Sequence, residues 1–301
     1  MNIIEIKGLT KNYGKSRGIN DLNLNIEEGD FFGFIGPNGA GKSTTIRTLL
    51  GLISPTGGSA TIMGYDIVKD NKKILAETGY LPSEINFYNK MKVKDAIKFS
   101  AALHKADCSE KAMSLAERLG LDTSRNVDEL SLGNRKKVGI VCAVQHSPKL
   151  LILDEPTSGL DPLMQREFFN ILTEENRRGA TIFFSSHILS EVQNYCRTAA
   201  FIKEGKIIMS DSVDKLEDTG AKKVSVKGNV AELESMLGTN TEEGIGKYIS
   251  DYSDNKETDT ADFLYNGKIP MLLETLSKLD LKDLTITEPS LEEIFMNYYE
   301  V

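Results

Sequence analysis

A chain of 301 residues with 40% hydrophobic side chains has more length than one compact domain needs and enough apolar content for a full core, so two domains are expected. Its net charge of -8 argues against a broad electrostatic footprint for DNA or RNA, and no nucleic-acid partner is expected. No apolar run approaches the roughly 18 residues of a spanning helix, and Met1-Asn2-Ile3-Ile4-Glu5 lacks a secretory leader's basic start and apolar core, so the chain is expected neither to cross nor to enter a membrane by itself.

Along the first two hundred residues, β-type apolar runs alternate with helical patterns, which predicts a layered α/β domain with a largely parallel sheet. Ahead of the first strong run, Tyr13 in Lys11-Asn12-Tyr13-Gly14 is an aromatic open to two readings, packing in a turn or stacking on a base. Phe31-Phe32-Gly33-Phe34-Ile35 is the first predicted buried strand. Directly after it, Gly36-Pro37-Asn38-Gly39-Ala40-Gly41-Lys42-Ser43-Thr44 fits G-x-x-x-x-G-K-[ST] and leads into a helical run. Such glycines let consecutive backbone N–H groups turn inward as an anion nest, and the helix beginning near Lys42 adds its positive end. Lys42 is placed to reach the β- and γ-phosphates of a nucleotide, and the Ser43 hydroxyl to ligate Mg²⁺.

Lys92 to His104 and Ser109 to Leu119 read as helices, the second with Ala112, Leu115, Ala116 and Leu119 on one face and Gly120 at its C-terminal end, which makes a helical insert of about 85–140. Leu150-Leu151-Ile152-Leu153 is a second buried strand, ending in Asp154-Glu155-Pro156. A parallel strand delivers such carboxylates to its C-terminal edge, where α/β folds bind ligands. Asp154 is expected to hold Mg²⁺, and Glu155, pointing to the other face by strand alternation, to polarise the attacking water as a general base. Thr181 to Phe184 is a third strand, followed by Ser185-Ser186-His187; a lone histidine is open to a structural reading, and its place at a strand end opens a second one, on the γ-phosphate side. Ala199 to Ile202 is a fourth strand. Cys108, Cys142 and Cys196 are odd in number, far apart and never in a C-x-x-C pair, so they suggest neither a disulfide framework nor a zinc site and fit a reducing cytoplasm.

After Asp218 the composition changes, with a stretch from Glu242 to Asp262 rich in Asp, Glu, Ser, Thr and Gly, and the domains are expected to be 1–218 and 219–301. The second reads as strand Lys222 to Lys227, helix Val230 to Leu237, strands Tyr248 to Tyr252 and Phe263 to Tyr265, helix Pro270 to Leu279 and strand Leu284 to Thr287. That order matches the ferredoxin-like β-α-β-β-α-β motif. A last helix is marked by a Ser290/Glu293 capping box and a stripe of Leu291, Ile294, Phe295 and Tyr298.

Phosphate loop, carboxylate strand and strand-end histidine, in that order, resemble the ABC (ATP-binding cassette) ATPase family over about residues 1 to 215. Leu130-Ser131-Leu132-Gly133-Asn134 lies where that family has its signature LSGGQ, and Ser158-Gly159-Leu160-Asp161 looks like its D-loop. The resemblance implies ATP and Mg²⁺ as cofactors, ATP hydrolysis, and Tyr13 as the base-stacking aromatic. It also implies two cassettes facing head to tail, so that Ser131 and the N–H of Gly133 touch the γ-phosphate of ATP held by a second copy or a paralogous cassette. This chain departs from the pattern at Leu132 and Asn134, and at Ser83, where the Q-loop glutamine belongs. The tail Glu288-Pro289-Ser290-Leu291-Glu292-Glu293-Ile294-Phe295 looks like that of ABC-2-type exporter ATPases, which implies separate membrane-spanning permease subunits docking near Phe87, Tyr88 and Met91 and a peripheral place on the inner face of the cell membrane. Simple burial in the insert is an equal reading of those three side chains. A soluble non-transport ABC ATPase and an ATP-holding regulator without turnover are the alternatives; the single cassette and acidic charge disfavour the first, and intact Lys42, Ser43, Asp154, Glu155 and His187 the second.

Overall fold

The structure, a computed structural model, describes residues 1–14, 16–88, 90–105, 107–217, 221–237 and 245–289. The chain divides into two compact units, Met1–Val213 and Asp214–Val301, so the division falls ahead of the residue 218 boundary expected from composition.

In the first unit, β1 (Asn2–Tyr13) pairs antiparallel with β2 (Ser16–Glu27). Next come β3 (Phe31–Ile35), α1 (Lys42–Leu49), β4 (Gly57–Ile62), β5 (Tyr65–Asp66), α2 (Asn71–Ala76) and β6 (Thr78–Leu81). The helical insert holds α3 (Val93–Leu103), α4 (Ser109–Arg118) and α5 (Leu132–Val144). Then follow β7 (Leu150–Asp154), α6 (Pro162–Arg177), β8 (Thr181–Ser186), α7 (Leu189–Tyr195), β9 (Thr198–Lys203) and β10 (Lys206–Ser212). Two sheets result, β2-β1-β4-β5 and β10-β9-β3-β8-β7-β6, and in the second only β10 runs antiparallel to its neighbour.

The second sheet is covered on both faces, which is why β3 and β7 are buried along their whole length and read as unbroken apolar runs. On one side Phe32, Phe34, Ile152 and Phe183 form a single core with Ile4, Ile6 and Ile62 of the antiparallel sheet and Ile46 and Leu49 of α1. On the other, Phe169 of α6 packs edge-on against Phe184 with ring centroids 5.5 Å apart. Because β3, β8 and β7 are adjacent and parallel, with Ile35 opposite Ser186 and Asp154 opposite Ser185, their C-terminal ends open on one edge. The phosphate loop, His187 and the carboxylate pair therefore leave the sheet side by side.

Gly120 adopts φ 58°, a left-handed stop after α4 of the kind its sequence position suggests. Arg118 of α4 pairs with Glu167 and Glu174 of α6, and Lys111 with Glu175, all at 2.7 Å, so the insert is clamped to the sheet's covering helix. No helix among the described residues is long and apolar enough to cross a membrane.

The short helix α8 (Val213–Glu217) falls at the division. The second unit contains β11 (Lys222–Gly228), α9 (Val230–Leu237), β12 (Ile249–Asn255), β13 (Thr260–Tyr265), α10 (Ile269–Leu276) and β14 (Leu281–Thr287). Its sheet has the order β12-β13-β11-β14 with every pair antiparallel, which is the ferredoxin-like arrangement. Val224, Val226, Phe263 and Tyr265 on the inner face meet Leu233 and Leu237 of α9 and Leu272 and Leu276 of α10. The helix expected after Ser290 lies outside the described residues.

Candidate nucleotide site

The loop after β3 is shaped by three glycines, held to that residue type by close contact or by left-handed φ. A Cβ on Gly36 would sit 2.3 Å from the carbonyl oxygen of Ile202, so the chain can leave the sheet here only as glycine. Gly39 and Gly41 have φ of 79° and 113°, which curls the loop and aims it into α1. Pro37, Asn38, Gly39, Gly41, Lys42, Ser43 and Thr44 line an open cavity of about 390 Å³, together with Gly18, Ser83 and Glu155.

Lys42 opens α1 and is 5% exposed. Its Nζ donates to the Gly36 and Pro37 carbonyls at 2.5 and 3.2 Å and forms an ion pair with Glu155 Oε1 at 3.0 Å. The other oxygen of that carboxylate, Oε2, lies 2.7 Å from His187 Nδ1. An ionised carboxylate only accepts, so Nδ1 carries the hydrogen in this contact. Glu155 is thus suspended between a buried ammonium and a half-exposed imidazole.

Strand alternation does not account for the direction of Glu155. β7 ends at Asp154, and Glu155 takes φ 49°, a left-handed conformation that costs a non-glycine residue about 1–3 kcal/mol. Its N–H donates to the Ser185 carbonyl and hydroxyl oxygens at 3.2 and 3.1 Å, so β8 holds the strained residue in place. Asp154, fully buried, accepts from Ser185 Oγ at 2.9 Å through Oδ1, while its Oδ2 has no hydrogen-bond partner among the described residues. Ser185 therefore serves both acids, a role that depends on the β7–β8 register and carries no motif of its own.

The remaining expected residues lie apart from this cluster. Ala40 is buried within the loop, and Tyr13, half-exposed at the end of β1 with the Lys11 ammonium 5.3 Å from its ring centre, is outside the cavity lining. Ser131 caps the N-terminus of α5, its hydroxyl oxygen accepting from the Asn134 N–H at 3.3 Å. Neither it nor Gly133 lines the cavity. A Cβ on Gly133 would meet the Gly159 carbonyl oxygen at 2.6 Å, so within this chain the glycine permits close approach of the Ser158-Gly159 turn. Leu132, in place of the first signature glycine, is exposed.

Known proteins resemble this chain in sequence and fold. The profile of the family described as ABC transporter matches residues 19–158. The bacitracin transport ATP-binding protein BcrA of Bacillus licheniformis is 38% identical over 224 residues, covering 73% of this chain and 73% of that protein. The uncharacterized ABC transporter ATP-binding protein YhaQ of Bacillus subtilis (strain 168) is 32% identical over 300 residues, 98% of this chain and 97% of its own, so the likeness extends through both units. A solved structure described as the ATP binding subunit of an ABC transporter superposes with a TM-score of 0.68 at 28% identity, over 71% of this chain and 92% of that one. The chain belongs to the ABC transporter family, among its ATP-binding cassettes.

Proposed function

We propose that this ABC ATPase is the motor subunit of an ABC-2-type exporter, working as a pair of cassettes on the inner face of the cell membrane and docked to separate membrane-spanning permease subunits. The observation that carries the catalytic part is the chain of contacts Lys42–Glu155–His187 at the mouth of the glycine-rich loop. A γ-phosphate entering the cavity competes with Glu155 for the Lys42 ammonium. Glu155, still oriented by His187, is then free to take the proton of the attacking water as that oxygen bonds to phosphorus and the bond to the ADP oxygen breaks.

The backbone N–H groups of the loop between Asn38 and Thr44 and the N-terminus of α1 bind the phosphates, and Tyr13 stacks on the base. Mg²⁺ fits the donors present: Ser43 lines the cavity, and the buried Oδ2 of Asp154, without a partner among the described residues, suits a cation or its water. When bound, the ion neutralises charge on the β- and γ-phosphate oxygens.

Ser131 and Gly133 do not line their own chain's cavity, and Ser131 is exposed at the positive end of α5. A second cassette, identical or paralogous, supplies the γ-phosphate they contact, so ATP becomes part of the interface and hydrolysis loosens it. Tyr88, 71% exposed and edge-on to the half-exposed Phe99, offers the aromatic anchor for a permease helix. Phosphate release by the full chain in Mg-ATP tests the catalytic reading. Lys42→Ala is expected to abolish it, and turnover unchanged in that variant would overturn the assignment.

A further inference from the structure

Lys136 lies in the second turn of α5, is 2% exposed, and has no part in the site described above. Lysine is seldom buried, because its ammonium loses hydration that only close partners replace. Here Nζ donates to the Ser83 carbonyl at 3.0 Å and to Ser158 Oγ at 3.3 Å. Ser158 Oγ in turn donates to the Glu155 carbonyl at 2.9 Å. Two loops meet on this one cation. One carries Ser83, which lines the nucleotide cavity; the other is the turn that follows Glu155. With Ser185 gripping the Glu155 N–H, both ends of the left-handed residue are fixed, one by β8 and one by α5 through Ser158.

We propose that Lys136 is a positioning residue for ATP hydrolysis: its buried ammonium binds the Ser83 loop to the Ser158 turn and thereby holds Glu155 in the left-handed conformation that aims its carboxylate into the cavity. The proposal rests on Glu155 being the base. Burial pushes the Lys136 ammonium down to about 8, and Asp154 and Glu155 pull it back up, so the cation also faces the acid pair electrostatically. An apolar residue would fill the same space without that desolvation, which points to a use for the charge beyond packing.

The test uses the full chain with Mg-ATP, measuring kcat, KM, the dissociation constant for ATP and the urea unfolding midpoint. Lys136→Met is expected to lower kcat at least tenfold while ATP affinity stays within about threefold and the unfolding midpoint does not fall. Lys136→Gln, which retains a donor, recovers part of the rate. Ser158→Ala cuts the same link at an exposed position and is expected to reproduce the kcat loss, so it carries the test even if the buried variants fail to fold. Wild-type kcat in Lys136→Met or in Ser158→Ala overturns the proposal, as does a parallel fall of kcat, affinity and midpoint. Glu155→Gln in the same assay separates the two readings. If it retains wild-type turnover, the base assignment fails; if it is inactive while Lys136→Met is not, only the positioning role fails.

Discussion

Replacing Glu155 by Gln is expected to move binding and turnover in opposite directions. The substitution keeps the side chain's shape but removes the charge paired with Lys42 at 3.0 Å, in a setting where Lys42 is 5% and Glu155 16% exposed. At an effective dielectric of about 20 the Coulomb attraction at that distance is roughly 5 kcal/mol, most of it offset by desolvation of the two groups. The Lys42 ammonium keeps its hydrogen bonds to the Gly36 and Pro37 carbonyls and a weaker attraction to the amide dipole, so the net change in its availability is about 1–2 kcal/mol. That corresponds to ATP binding tighter by about five- to thirtyfold, because the phosphate no longer competes with a carboxylate for Lys42. Loss of the base is expected to slow turnover by about 10²- to 10⁴-fold. Equilibrium titration with a fluorescent ATP analogue and single-turnover phosphate release read the two effects separately. Turnover within tenfold of wild type, or weakened nucleotide binding, would refute the reasoning.

Gly36→Ala is expected to destabilise the first unit by about 1–3 kcal/mol and to weaken ATP binding at least tenfold, since the added Cβ meets the Ile202 carbonyl at 2.3 Å and backbone must yield. An unchanged urea midpoint and ATP affinity would show that the loop is not held as tightly as the contact implies. His146 gives a pH dependence: burial first, and then the His104 imidazole stacked 3.6 Å away, push it down to about 4. The unfolded chain takes up that proton near pH 6.5 and the folded chain only near 4, so the stability is fully present above about 6.5 and is lost as pH falls through that window. Between about pH 7 and pH 5, wild type is expected to lose about 1–2 kcal/mol more stability than His146→Phe, allowing for the ring's partial exposure. Equal losses in urea titrations would place the acid sensitivity elsewhere.

What could be read from the sequence was local. The phosphate loop is contiguous, and its strand and helix flank it directly, so spacing alone locates Lys42 and Ser43. The buried strands stand out because a sheet covered on both faces demands unbroken apolar runs, and Leu150 to Leu153 is one. The antiparallel sheet at the start of the chain is harder to read. β1 and β2 pair with repeated register shifts, and Gly8 and Asp21 take left-handed φ, so strict alternation is broken where the pattern would be sought. The place of Glu155 after Asp154 marks it in the sequence, yet its direction comes from a left-handed φ that periodicity does not encode. Ser185 and Lys136 escape a linear reading altogether. A serine at a strand end and a lysine in a basic run acquire their roles only when parallel register brings Ser185 to the two acids and the packing of α5 brings Lys136 to the Ser158 turn that follows them.

With ATP as the proposed joint between two cassettes and Glu155 as the group whose chemistry opens it, the most direct measurement is the sedimentation-equilibrium mass of the Glu155→Gln full chain with and without Mg-ATP. The expected result is a mass of two chains in Mg-ATP that returns to the nucleotide-free value when Ser131→Arg is added to the same chain, since the proposed pairing sets Ser131, exposed at the head of α5, against the partner's phosphate. A mass unaffected by Mg-ATP while ATP is bound, or a dimer indifferent to Ser131→Arg, would contradict it.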